Sequence, residues 1–188
     1  MILQLNKTNT ALIVIDVQTQ LLTIMDSSIS EHMITNINML SQMFSYWQAP
    51  IILTEQYKKG LGATCEEVKP HLSHVEPIEK LTFGSCGNEV FQRTLKQLPK
   101  ERNHLIVVGM ETHICVLQTV LQLLAEKYQV FVPIDAVQST TKLRWQTGIR
   151  TMEQAGAVMT NTESLLFQIT QRCDSEDFKK LLPLIKAS

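Results

Sequence analysis

Neither sign of charge dominates this chain: 17 Lys and Arg face 18 Asp and Glu, a formal net charge of −1 over 188 residues. Without an overall basic field, nucleic acid and anionic membrane are not expected partners. Lys58-Lys59 and the pair Lys142 and Arg144 are the only local basic groupings, and each reads as solvated surface. Long apolar runs are missing too; none approaches the ~20 residues needed to cross a bilayer. Residues 1–20 hold one Lys, no Arg and a short apolar run (11–15) ahead of an acid, which fits neither a secretory signal nor a transit peptide. Cys65, Cys86, Cys115 and Cys173 form no C-x-x-C pair and no repeating framework, so disulfide scaffolding and structural zinc are both disfavoured. Together these absences point to a reducing, cytoplasmic location. Linkers, repeats and low-complexity tracts are also lacking. At 44% hydrophobic residues, the chain reads as one domain over residues 1–188 with a substantial core.

What is present alternates strand and helix. Apolar, β-branched runs at residues 11–15, 51–53, 105–108, 129–132 and 157–160 read as buried strands, with a weaker candidate at 75–78. Between them, Met33, Ile37, Leu40, Phe44 and Trp47 form one helical stripe. Val90, Phe91, Leu95 and Leu98 mark a second helix, Leu117, Val120, Leu121 and Leu124 a third, and residues 142–154 a fourth. Phe178, Leu181, Leu182 and Ile185 form a terminal amphipathic helix that Asp174 is placed to cap. The pattern predicts a three-layer α/β/α sandwich with a six-stranded, mostly parallel, Rossmann-like sheet and its site at the carboxyl edge.

Three strand ends carry chemistry. The run 105–108 leads into Gly109-Met110-Glu111-Thr112-His113-Ile114-Cys115-Val116, which puts a cysteine in the first turn of the following helix. Unpaired N–H groups there favour thiolate over thiol and are suited to holding an oxyanion. Position alone leaves Cys115 open between a nucleophile and a buried core cysteine. The first strand ends in Asp16, and the weaker strand ends near Lys80, ahead of Thr82-Phe83-Gly84-Ser85. Acid, ammonium and thiol at three strand ends make a workable base, positioner and attacker. Cys86, six residues beyond Lys80, is the rival nucleophile. Asp135 reads as a turn residue rather than a spare acid. His71 and His74 share a His-x-x-His spacing without a nearby third ligand and read as solvated loop histidines, so no metal is assigned.

These three segments, in this order and at these spacings, resemble the isochorismatase-like cysteine hydrolases, which include nicotinamidases and N-carbamoylsarcosine amidohydrolases. The segment from Gly109 to Val116, with Thr54-Glu55-Gln56-Tyr57 and Lys59-Gly60-Leu61-Gly62 after the second strand, is most similar to the subgroup named isochorismatase domain-containing proteins. The resemblance covers nearly the whole chain and implies the strand order 3-2-1-4-5-6. It implies a triad of Asp16, Lys80 and Cys115, a cis peptide between Met110 and Glu111, and an oxyanion hole from the N–H groups of Glu111 and Cys115. Two departures matter. Nicotinamidases of the family bind a metal through an Asp-x-His pair after the second strand, where this chain reads Thr54-Glu55-Gln56-Tyr57. Isochorismatases proper lack the cysteine, so Cys115 points to a carbonyl substrate attacked through sulfur. The expected activity is hydrolysis of a small amide or carbamoyl compound through a thioester, without a cofactor. The other reading is a catalytically silent binding or scaffold protein on the same fold, which a thiol titrating at its ordinary value would favour. Gln18 is expected to orient Asp16, with Tyr57 and Phe83 lining the pocket. The resemblance and the abundance of apolar helix faces together predict a homo-oligomer, a dimer or larger.

Overall fold

A computed structural model describes residues 4–187. Its sheet contains β1 (Thr10–Ile15), β2 (Ile51–Gln56), β3 (Ile78–Lys80), β4 (His104–Met110), β5 (Gln129–Pro133), β6 (Val137–Gln138) and β7 (Val158–Thr160). They pair in the order β3-β2-β1-β4-β5-β7, all in parallel, with β6 beside β4. The predicted order therefore holds, with one added strand. β5 pairs with the start of β4 at residues 104–106, and β6 takes over at Gly109 and Met110. The last strand is thus seventh in the chain, and the predicted six become seven.

Helices cover both faces: α1 (Thr19–Leu22), α2 (Ser27–Tyr46), α3 (Lys58–Leu61), α4 (Lys69–Leu72), α5 (Glu89–Gln97), α6 (Leu117–Ala125), α7 (Lys142–Gln154), α8 (Thr162–Thr170) and α9 (Glu176–Ala187). Strand period two decides which face each residue serves. Leu12 and Val14 of β1 join Met33, Ile37, Leu40 and Phe44 of α2, with Leu165 and Leu166 of α8 and Leu181 of α9. Ala11, Ile13 and Ile15 join Phe91, Leu95, Val120, Leu123 and Met152 on the other side. Each large apolar side chain so buried contributes about 1.5–3 kcal/mol relative to exposure. That makes β1 the shared spine of two cores, with both its faces sealed.

Three sequence expectations shift. The strand expected at 75–78 is Ile78–Lys80, because Pro77 has no N–H to pair. That displacement sets Lys80 opposite Gln56 and Ile78 opposite Thr54. Helix α8 was not anticipated, although Leu165, Leu166 and Ile169 lie on one helical face and Asn161 caps it by accepting from Ser164 N–H. The terminal helix is capped by Ser175, whose Oγ accepts from Phe178 N–H, while Asp174 pairs with Arg172. Among the described residues no helix is long and apolar enough to cross a membrane.

Candidate active site

The carboxyl ends of β1, β3 and β4 converge. β1 delivers Asp16 in a left-handed conformation, φ +49°, with its side chain fully buried. Next to it, β4 must come unusually close. A Cβ on Gly109, whose φ is +111°, would stand 2.0 Å from the Ile15 carbonyl oxygen. Only glycine tolerates both the angle and the approach. The following peptide, Met110–Glu111, is cis. A wide π turn over Thr112–Val116 then holds Cys115 just ahead of α6.

Asp16 and Lys80 form a completely buried ion pair, with Lys80 Nζ 2.7 Å from Asp16 Oδ2. Nζ also donates to Gln56 Oε1 at 2.7 Å and reaches the carbonyls of Phe83 and Thr82 at 3.1 and 3.3 Å. The other carboxylate oxygen of Asp16 accepts from Thr54 Oγ1 at 2.7 Å. Cys115, 6% exposed, lies near enough to Asp16 and Lys80 for both charges to act on its thiol. Acid, ammonium and thiol therefore stand together in one buried cluster.

Burial governs the thiol. Removal from water, together with the neighbouring carboxylate of Asp16 and against the pull of Lys80, leaves the Cys115 thiol pushed up to about 12. The sequence expectation of a lowered thiol is corrected here: at this depth desolvation outweighs the lysine and the helix start. The sulfur rests as a protonated thiol beside a carboxylate.

A second network fixes the turn that holds Cys115. Thr119 Oγ1 donates to the Cys115 carbonyl at 2.7 Å and accepts from Ser85 N–H at 3.0 Å. The segment following Lys80 is thereby tied to the helix that holds Cys115. Gly148 of α7 lies so close that a Cβ there would meet Thr112 O at 2.9 Å. His113 Nδ1 pairs with Ser139 Oγ at 3.0 Å, and Glu111 Oε2 accepts from Thr140 N–H at 3.0 Å.

Other expected residues behave differently. The Gln18 side chain bonds the backbone of Gln56 and Gly62, stapling β2 to the loop beyond it. Thr54, not Gln18, turns Asp16. Tyr57 is 47% exposed, with its ring against Gly60. The Phe83 ring is 55% exposed, and only its backbone carbonyl joins the Lys80 shell. Cys86 is close to Glu126 and Tyr128 at the far end of α6, away from the turn that holds Cys115. Asp135 accepts from Thr162 N–H and Oγ1, fastening the start of α8. His71 sits in α4, and His74 Nε2 is 3.3 Å from Ser45 Oγ. Among the described residues no group of three or more His, Cys, Asp or Glu could hold a metal ion. Sequence reading missed Thr54, Gln56 and Ser85 as site partners; the signal was the place of Thr54 and Gln56 in the last half of β2 and of Ser85 in the segment that follows Lys80.

The isochorismatase-domain family model matches residues 10–164. The chain belongs to the isochorismatase family. It is similar to isochorismatase family protein 1B of Dictyostelium discoideum, 38% identical over 142 residues, which is 74% of this chain and 68% of that one. Among solved structures it matches the MAR1 ribonuclease of Caenorhabditis elegans with TM-score 0.88 and 34% identity, over 98% and 93% of the two chains. The YcaC gene product of Escherichia coli, an octameric hydrolase of unknown specificity, shares the isochorismatase fold with TM-score 0.88 at 22% identity, over 98% and 91%.

Proposed function

We propose that this member of the isochorismatase family is a cysteine-dependent hydrolase of a small amide or carbamoyl compound, and that residues 1–188 act as one domain. The observation that carries this reading is the buried Asp16 carboxylate, held by Lys80 and Thr54 and near enough to Cys115 for its charge to act on the thiol. A buried ion pair seldom raises stability over well-packed apolar residues of the same volume. Its retention beside a thiol therefore argues for chemistry, and against a scaffold that has kept only the fold.

In the proposed reaction Asp16 accepts the Cys115 proton as sulfur attacks the carbonyl carbon. The N–H groups of Glu111 and Cys115 hold the oxyanion. On collapse the C–N bond breaks, the leaving nitrogen takes the proton from Asp16, and a thioester remains. Water then gives a proton to Asp16 while its oxygen attacks the thioester; the carboxylic acid leaves and that proton returns to sulfur. Lys80 keeps Asp16 in place throughout and compensates its charge. Because the thiol rests protonated, transfer to Asp16 and attack by sulfur occur together once a substrate is bound.

A ribonuclease reading draws on the name of the Caenorhabditis elegans relative. The site favours it less: its one lysine is fully buried on Asp16, and the chain carries no net positive charge. The exposed side chains of Ile24, Ile29, Leu81, Phe83 and Leu143 support a homo-oligomer, as does the octameric state of the Escherichia coli neighbour. A screen of small primary amides and carbamoyl compounds, alongside RNA, tests the assignment. Turnover of an amide that Cys115→Ala abolishes is the expected result. Cleavage of RNA that survives Cys115→Ala would replace the proposal with the nuclease reading.

A further inference from the structure

We propose that Gln56 is a positioning residue of this site: its uncharged amide holds the Lys80 ammonium on Asp16 and keeps every proton of that ammonium from the substrate, so that Asp16 alone moves a proton. The inference rests on the reading of Cys115 as nucleophile and adds a residue to the machinery around it.

An ammonium has three protons to give. Lys80 Nζ spends one on Asp16 Oδ2 and one on Gln56 Oε1, both at 2.7 Å, and the third lies between the carbonyls of Phe83 and Thr82 at 3.1 and 3.3 Å. With its side chain fully buried, Lys80 has neither a proton nor a face left for a ligand. The Gln56 amide can meet it in one sense only. Its Nε2 donates to the carbonyl of Leu81 at 3.0 Å, the residue directly after Lys80. A flipped amide would set an N–H donor against the ammonium and an oxygen against the carbonyl oxygen.

The main chain of Gln56 is held as firmly. Gln18 Oε1 accepts from the Gln56 N–H at 2.7 Å, Gln18 Nε2 donates to the Gln56 carbonyl at 3.0 Å, and the Gln18 N–H donates to the Asp16 carbonyl at 2.8 Å. A closed circuit results, running from Asp16 through Lys80, Gln56 and Gln18 back to Asp16 across the ends of β1, β2 and β3. Strand pairing does not require it, because the β2–β3 register sets the backbone of Gln56 opposite Lys80 whatever the side chain. What the amide adds is an acceptor without charge. A carboxylate here would compete with Asp16 for the ammonium and put a second negative charge in the cluster, while an apolar side chain would leave a buried ammonium proton unpaired.

The test compares Gln56→Met and Gln56→Glu, both close to glutamine in length, by the rate at which acrylamide modifies Cys115 in the full chain over a range of pH. Cys86, mapped in the same samples, is the reference. Sulfur adds to the β-carbon of acrylamide and the thiol proton ends on its α-carbon, so no leaving group intervenes. Gln56→Met should slow Cys115 about 10-fold, the loss of one hydrogen bond to a charged group, and leave Cys86 unchanged. Gln56→Glu returns the acceptor but adds charge, so the acid limb of the Cys115 profile should move to higher pH by about one unit. A side chain that only packs would not move that limb. An unslowed Cys115 in Gln56→Met, or an unmoved limb in Gln56→Glu, overturns the inference. Failure of acrylamide to modify Cys115 in the unsubstituted chain overturns the nucleophile reading instead, and the hold on Lys80 is then read without the thiol. Among the described residues Lys80 is the only buried lysine, so its ammonium should keep its protons long enough to give an NMR signal while the exposed lysines exchange theirs away. Loss of that signal in Gln56→Met supports the inference, and an equally persistent signal overturns it. Where Gln56→Met does not fold, the pH profile of Gln56→Glu decides alone.

Discussion

Cys115 and Cys86 belong to the same face of the sheet, and burial pushes both thiols up to about 12. Their surroundings then diverge. Cys115 sits beside a carboxylate that Lys80 and Thr54 hold in place, whereas Cys86 has only the charge of Glu126 at the far end of α6. An elevated thiol is therefore common to a candidate nucleophile and a packing residue. What separates them is the neighbouring carboxylate, so under the proposed mechanism reactivity at Cys115 depends on proton transfer rather than on a standing thiolate.

The sharpest way to break that contrast is Asp16→Asn. Loss of a general base costs on the order of 10² to 10⁴ in rate. Acrylamide modification of Cys115 should fall by that range, while modification of Cys86 stays the same; equal loss at both cysteines would mean global disturbance rather than a missing base. The pH profile sharpens it further. A thiol raised to about 12 with no base ionises in proportion to hydroxide, so labelling of Cys86 should climb roughly 100-fold from pH 7 to pH 9. Cys115, passing its proton to Asp16, should climb far less, and parallel slopes would remove the distinction.

A smaller effect is expected from Gly148→Ala. The added methyl meets backbone at Thr112 and His113, which cannot swing aside as a side-chain tip can. Overpacking of this kind costs about 1–3 kcal/mol, readable in urea unfolding, and the displaced turn should slow Cys115 labelling while sparing Cys86. Least of all should happen on EDTA treatment or in His71→Ala and His74→Ala, because those histidines sit around α4, outside the triad cluster. A strong loss of activity in either histidine variant, matched by chelation, would call for a metal-assisted mechanism.

Much of this molecule is determined locally by its sequence. Apolar β-branched runs and helical stripes specify which segments become strands and helices, because burial demands those periods. The strand-end positions of Asp16, Lys80 and Cys115 follow from where each apolar run stops. Pairing after Pro77, and with it the exact register of Lys80, needed the partner strand, since hydrogen bonding there can begin only past the proline. Helix α8 had its signal in Leu165, Leu166 and Ile169, yet that short stripe gains meaning only from the sheet face it covers.

Tertiary structure alone decided the site's chemistry. Thr54 and Gln56 are ordinary polar residues in the sequence, and only the β1–β2–β3 alignment turns them toward Asp16 and Lys80. The same holds for the thiol: a helix start and a lysine predict a lowered value, but the depth of burial, which no short window of sequence encodes, reverses the direction. Local pattern fixes which groups arrive at the sheet edge. Desolvation and mutual distance, which depend on the whole fold, fix their protonation and therefore which of them can act.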